Sequence, residues 1–507
     1  MFLGLHLWSL GFFPFVHSDE AWLASLTRTM MEERSFGVTE EFFRLTERHP
    51  HAIKSVFHAL QMPFLAISFS HITARVLSLG ASAAALACFG ASLRRSGLDL
   101  VSSLLFVLLL TADVQFFYIA HLARQEILLV LVMCAGFAVA MPPDRWSYRR
   151  TLLLGTLLGF SIGVHPNAFI VTLPFFALLL WHPGGFRQML LHALLLGATL
   201  AFWGILFVAL SYRMDAAFLS NYLAFGERVG VADSPLRRFL RLGNFFEKLF
   251  HQAGGTYYLP PIRGRLVAFA AAILSAAPLG FVLGNPWRRR LLSALSAVVA
   301  VVLGLYLVGK YSPPSAIFLW PPIYLLVAMI YRGVKERYFS RGGNIHNLWT
   351  TLGTLALVVL VIVTSLPTLR ELSKFRDYPY SRYIHRIRDA VPQGSQVLAN
   401  LNTAFAFPSD ALYVYRDLNR LESGIGEFLQ ANDIDYVVFP GELEVIFQER
   451  PQWNLLYGNL YPWYEDLRSY LRREGDVVRA FDAPVYGMRI VPYIFKRDSR
   501  LEVYRLD

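Results

Sequence analysis

Asp19 and Glu20 sit side by side in the stretch "FPFVHSDEAWLASL", directly after an apolar run. A carboxylate can act as general base towards a hydroxyl when it comes within hydrogen-bond reach of the proton. The same two acids also suit the first turn of a helix, where the dipole favours negative charge and Ser18 or Asp19 would serve as N-cap. Further along, "FFYIAHLARQEILLVL" carries His121, Arg124 and Glu126, "SIGVHPNAFI" carries His165 and "SYRMDAAF" carries Arg213. Lys310 and Tyr311 stand at the head of "KYSPPSAIFLWPPI". Cations of this kind suit a phosphate or pyrophosphate leaving group, arginine through paired N–H donors. Arg213 and Lys310 equally suit interfacial anchors. His49 and His51 in "ERHPHAIK" have the chemistry of metal ligands, but surface histidines are commoner, and no metal ligand is assigned. A divalent cation is the one cofactor left open.

The elements that must position these groups are apolar. Of 507 residues, 55% are hydrophobic and 16% charged, with mean hydropathy +0.43. A soluble protein carries about 25% charged residues. Runs such as "LALVVLVIVTSL" and "LLLGATLAFWGILFVAL" are part of segments long enough to cross a hydrocarbon core of about 30 Å. Spans are expected at 70–93, 100–119, 125–141, 151–165, 168–182, 188–211, 265–284, 291–309, 315–331 and 348–367, which makes this a polytopic α-helical membrane protein with about ten or eleven crossings. Cys88 and Cys134 both lie in apolar runs and imply no disulfide framework or metal site.

The net charge of +11 does not point to nucleic acid, because the cations gather in short loops between spans. One set of loops holds thirteen of them, including Arg94, Arg95, Arg149, Arg150, the run Arg288–Arg290 and Lys335; the short loops of opposite phase hold two, Arg124 and Lys310. The basic set is therefore cytoplasmic. Residues 18–69, 212–264 and 372–507 then lie outside, in a bacterial or archaeal cell membrane. The N-terminus lacks a basic region and a small-residue cleavage site, so no cleavable signal is expected. The opening run is sixteen residues, short for a crossing. Either most of the first span lies upstream of a misplaced start codon, the favoured expectation, or the run is a re-entrant or interfacial segment.

Within 18–69 two surface helices are expected. In the first, Trp22, Leu26 and Met30 recur every four residues, a stripe suited to the headgroup layer. The second is placed at about 39–60. The chain divides at 371/372 into a membrane domain, 1–371, and an extracytoplasmic α/β domain, 372–507. In the latter, "SQVLANL", "IDYVVFPG", "DVVRAF" and "MRIVPYIF" read as strands, and "PSDALYVYRDLNRL" and "YEDLRSYLRREG" as helices.

An acid pair after the first crossing and cations at the outer mouths of later spans fit transfer of a group from a lipid-linked phosphate to an external acceptor. On "DEAW", "ARQE" and "KYSPPSAIFLWPPIYLL", over about residues 15–330, the chain resembles the C-type (GT-C) membrane glycosyltransferases, in the branch of the protein O-mannosyltransferases and the aminoarabinose transferase of lipid A. The resemblance implies a polyprenyl-phosphate sugar donor, inversion at the anomeric carbon, and a protein, lipid or polysaccharide acceptor at the bilayer surface. It implies that Asp19 is the base and that Glu20, beside it in the catalytic pair, more often orients or binds. Arg124 and Glu126 would shape the donor-phosphate site, with His165, Arg213 and Lys310 as further phosphate contacts. Where many relatives have Lys-Pro, this chain has His165-Pro166. A secondary transporter would put charges and broken helices at the midplane with inverted repeats, and neither is read here. A sensor or assembly factor would leave the acid pair unexplained. Arg237, Arg238 and Arg241 keep a lipid-polymer ligase or polymerase as the other alternative.

Overall fold

The computed structural model describes residues 2–38, 49–141, 146–228, 234–251, 260–308, 311–339, 344–421, 424–449, 451, 460–487 and 499–506. The chain opens with α1 (Phe2–Ser9) and α2 (Ser18–Glu32), followed by α3 (Ser55–Leu65), α4 (His71–Arg95), α5 (Leu100–Ala112), α6 (Val114–His121) and α7 (Glu126–Ala140). Next come α8 (Tyr148–Phe160), α9 (Ala168–Leu179), α10 (Gly185–Met214), α11 (Phe218–Arg228) and α12 (Pro235–His251). The membrane part closes with α13 (Arg263–Leu283), α14 (Asn285–Val308), α15 (Trp320–Phe339) and α16 (Asn344–Phe375). Among the described residues six helical segments are long and apolar enough to cross a bilayer, or seven if α5 and α6 form one bent span. Each expected span meets a helix, but α7 and α9 are short apolar helices of 15 and 12 residues. The chain is a multi-pass membrane protein.

The span expected at 100–119 is not continuous. It bends by 67° between α5 and α6. Asp113 is extended there (φ −67°, ψ 125°) and caps α6, its Oδ1 accepting the Gln115 amide at 2.9 Å. In a bilayer the backbone groups freed by such a break must be satisfied within the protein. They are: Thr368 donates to the Ala112 carbonyl at 2.7 Å. Tyr324 and Arg265 both reach Asp113 Oδ2, each at 2.8 Å, so its charge is paired. The Gln115 side chain donates to the Pro313 carbonyl at 3.0 Å, tying the bend to the segment before α15.

The first loop also differs from expectation. Leu26 and Met30 do not face headgroups; they are buried, and α2 packs on α3 and on the turn at Leu401–Thr403 of the tail. Trp22, the third residue of the stripe, is half-buried. Arg28 stacks on Phe69 at 3.9 Å and reaches the Phe407 carbonyl at 3.4 Å. Of the second surface helix, residues 39–48 lie outside the described residues; the helix found begins only at Ser55, after Pro50.

After α16 the tail continues with α17 (Tyr380–Arg388), β1 (Gln396–Ala399), β2 (Leu412–Val414), α18 (Ile425–Ala431), β3 (Ile434–Pro440) and α19 (Gly441–Glu449). It ends with α20 (Tyr464–Glu474), β4 (Gly475–Asp482) and β5 (Arg500–Leu506). The five strands form one sheet in the order β2-β1-β3-β5-β4. The β2–β1–β3 pairs are parallel and the β3–β5–β4 pairs antiparallel. β1, β3, β4 and α20 fall where the sequence put them, while "MRIVPYIF" lies outside the described residues. The run "PSDALYVYRDLNRL" is not a helix. Leu412–Val414 pairs along β1, and a short 3-10 stretch, Tyr415–Arg420, follows. Its Leu-Tyr-Val core alternates buried and half-buried, which fits a strand. One apolar core runs from Phe12 and Phe13 through α4, α6 and α7 to Tyr380, Phe405 and Tyr486 of the tail.

Candidate active site

Neither Ser18 nor Asp19 caps α2. His17 does: its Nδ1 accepts the Asp19 amide at 3.0 Å, and its own amide donates to Glu20 Oε2 at 3.0 Å. This reciprocal pair fixes the direction in which the first turn presents its acids. Adjacent helical residues point about 100° apart, as 3.6 residues per turn requires, so Asp19 and Glu20 face different surroundings.

Glu20 faces inward. It is buried, and Arg75 of α4, equally buried, grips it with two N–H donors at 2.9 and 2.8 Å. Oε1 also accepts the Ala123 amide at 2.8 Å, and Oε2 the His17 amide. Arg75 donates a third bond to the Leu10 carbonyl at 2.8 Å. Each oxygen of Glu20 thus has two donors. The catalytic place expected for Glu20 is corrected on this geometry: a saturated, buried carboxylate holds other groups in place and has no oxygen free for a substrate. Arg75 escaped the sequence reading, its one signal being a lone cation inside the apolar run "HITARVLSLG".

Asp19 faces outward. Its side chain is 29% exposed, and Arg124 Nη1 meets Oδ2 at 2.5 Å. Arg124 in turn holds Glu126 at 2.9 Å through Nη2 and at 3.1 Å through Nε. Arg124 rides on a short loop whose backbone is pinned from two sides. Ser78, one turn after Arg75 on α4, donates to the Leu122 carbonyl at 2.8 Å, and Glu20 takes the Ala123 amide. The bend at Asp113 brings α6 to this point. Behind the loop, His121 is buried between the Phe13 carbonyl and His6, both at 2.8 Å.

The structure therefore assembles Asp19, Arg124 and Glu126 from "DEAW" and "ARQE". Glu126 cannot itself bind a phosphate, since like charges repel; its contact is with Arg124. His165 lies at the turn before α9, its Nδ1 accepting the Asn167 amide at 3.0 Å. Arg213 is exposed near the end of α10, beside a corner where Asp215 takes Asn221 at 2.8 Å and His49 at 3.7 Å. His51 packs edge-on to Tyr222. Lys310 lies outside the described residues. Among the described residues no three His, Cys, Asp or Glu side chains form a group able to hold a metal ion, and the Asp19 and Glu126 carboxylates both meet Arg124.

Solved structures share this architecture. The apo crystal structure of ArnT from Cupriavidus metallidurans superposes with a TM-score of 0.60 at 13% identity, covering 99% of this chain and 96% of that one. ArnT bound to undecaprenyl phosphate gives 0.56 at 13%, covering 99% and 97%. The oligosaccharyltransferase of Archaeoglobus fulgidus, in complex with Zn and sulfate, gives 0.52 at 12%, covering 96% and 72%. This chain has the GT-C fold. No family model matches it, and no curated protein matches it by sequence. Within this GT-C fold both the membrane helices and the tail find counterparts, since almost the whole chain is covered.

Proposed function

We propose that the chain is an integral membrane glycosyltransferase of the cell envelope. It moves a hexosyl or pentosyl group from a polyprenyl-phosphate donor to a protein, lipid or polysaccharide acceptor on the extracytoplasmic face. The observation that carries the reading is a half-exposed carboxylate, Asp19, set against a guanidinium, Arg124, at the end of a broken span in a GT-C fold. A fold neighbour crystallised with undecaprenyl phosphate supports a lipid-linked phosphate as the donor's leaving group.

In this reaction an acceptor hydroxyl oxygen forms a bond to the anomeric carbon while the bond from that carbon to the phosphate oxygen breaks. The bonding electrons leave with the polyprenyl phosphate, and Asp19 receives the acceptor's proton. Attack opposite the leaving group inverts the anomeric centre. Arg124 offsets charge developing on the departing phosphate, the term that preorganised donors supply best. Glu126 holds Arg124, while Glu20 and Arg75 fix both the α2 turn and the 122–125 loop. The base thereby stays aligned with the cation, and alignment of this kind is worth much of a barrier. The thirteen-to-two distribution of loop cations supports placing this mouth and the tail outside.

The test is direct. Purified protein is incubated with radiolabelled polyprenyl-phosphate sugars, and labelled product and free polyprenyl phosphate are followed. Donor turnover that disappears in Asp19→Asn supports the assignment. No turnover with any donor, or turnover that survives Asp19→Asn, overturns it.

A further inference from the structure

A second charged site lies in the tail, just past the end of α16. A cavity of about 700 Å³ opens there, between α17 and β4. Arg382 and Arg386, one turn apart on α17, line it together with Arg479 of β4. Tyr383, Phe481 and Tyr486 form its aromatic wall, with the Tyr383 and Tyr486 rings stacked at 5.0 Å. The cavity begins at Asp377, two residues after α16 ends at Phe375.

Three arginines share the cavity lining with two acids, Asp377 and Asp482, which leaves an excess of positive charge. Arg382 donates to the Asp377 carbonyl at 3.0 Å, and Arg386 to the Asp482 carbonyl at 3.5 Å. Arg386 also stacks on Phe481, 5.3 Å from the ring centroid. Carbonyls and rings orient a guanidinium without neutralising it. The Asp377 carboxylate meets Arg376 instead, at 3.4 Å. Among the described residues no carboxylate lies within ion-pair distance of Arg382, Arg386 or Arg479. Elsewhere in the tail exposed arginines do find acids, as Arg468 finds Glu444 and Arg505 finds Asp476. Three unpaired guanidinium groups around one hollow are suited to a phosphate, which they can bind through paired N–H donors. The half-buried Phe481 ring, backed by the buried Tyr383 and Tyr486, offers an apolar edge to a sugar-like ring.

We infer that this cavity is a binding site for a phosphate group attached to a polyhydroxylated ring, carried either on a lipid headgroup or on a soluble molecule. It is separate from Asp19 and does not rest on the glycosyltransfer reading.

Full-length protein in detergent is titrated with glucose 1-phosphate as the soluble probe, phosphatidylinositol in mixed micelles as the lipid probe, and glucose as the neutral control. Binding of at least one phosphate probe, without binding of glucose, is expected. Binding only in micelles assigns the lipid source, and binding only of glucose 1-phosphate the soluble one. The double variant Arg382→Gln/Arg479→Gln weakens that binding about tenfold or more, whereas Arg382→Lys/Arg479→Lys retains part of it; both keep the wild-type thermal midpoint, since the side chains are exposed. Three results overturn the inference: glucose binding as well as the phosphate probes, no binding of either phosphate probe, or undiminished binding in the glutamine variant. Loss of binding in Arg124→Gln with the tail arginines intact also overturns it, because the phosphate then sits at Arg124.

Discussion

Asp19 and Glu20 are neighbours in the chain and each meets an arginine, yet one pair is sealed and the other open. Arg75 and Glu20 have side chains 0% and 1% exposed, whereas Arg124 and Asp19 are 12% and 29% exposed. The sealed pair is bidentate and further bonded to three backbone groups; the open pair has a single-nitrogen contact at 2.5 Å, with His17 3.6 Å from Asp19 and Glu126 holding Arg124. Burying a charge is tolerable only when every donor and acceptor is used. In the sealed pair both Glu20 oxygens are saturated and each Arg75 guanidinium nitrogen has a partner, so the pair serves geometry. The open pair leaves a carboxylate with room beside it, which is what a base needs. A third pair, Lys335 with Asp99 at 3.0 Å at the N-terminal end of α5, is the exposed end of the series.

Six variants test this ordering. Asp19→Asn removes the base with little change in volume; sugar transfer is expected to fall by about 10²–10⁴-fold, with thermal midpoint and membrane insertion unchanged, as single-turnover assays and melting curves on the same preparation would show. A fall in stability of the same protein would place Asp19 with the sealed pair. Glu20→Ala or Arg75→Ala strands a buried charge and should cost about 3–5 kcal/mol of stability. The double variant should cost less than the sum of the two, which denaturation in detergent would reveal.

Arg124→Ala should cost about 1.5–3 kcal/mol of donor affinity, read as a rise in the donor KM with a much smaller change in the acceptor KM. Equal rises in both would sever Arg124 from the leaving phosphate. The smallest effect belongs to the exposed pair. Asp99 caps α5, accepting the Ser102 amide at 2.8 Å, so Asp99→Ala should cost about 1 kcal/mol. Partial burial pushes the Asp99 carboxyl up, but the Ser102 amide and hydroxyl and the Lys335 ammonium outweigh it and hold the pKa at about 2, below the ordinary 3.8. A depressed carboxyl adds stability above its unfolded pKa and loses it as pH falls through the folded one. The wild-type advantage over Asp99→Ala should therefore hold at pH 6 and shrink on acidifying from about pH 4 towards 2. An advantage that grew on acidification would contradict it.

Much of this was legible in the chain. Apolar runs and loop cations show the membrane class because a bilayer punishes exceptions severely. "DEAW" and "ARQE" proved to be spatial partners, although more than a hundred residues separate them. What stayed hidden depends on long-range pairing. Nothing local distinguishes Arg75 from an anchoring cation until Glu20 is seen opposite it. The break at Asp113 looks like one polar residue in a span, since its compensation comes from Tyr324, Arg265 and Thr368, far along the chain. The Leu26 and Met30 stripe reads as lipid-facing because the packing partners of α2 include a turn more than 370 residues later.

The Tyr380 amide donates to the Gly11 carbonyl at 3.2 Å, and the Tyr380 ring packs on His71, four residues before Arg75. The domain after α16 is thus a keystone wedged against the two segments that aim the acid turn. Cutting the polypeptide at Phe375 would do more than remove an appendage. It would orphan a main-chain oxygen at the threshold of the first loop and bare the back of the arginine clamp to water.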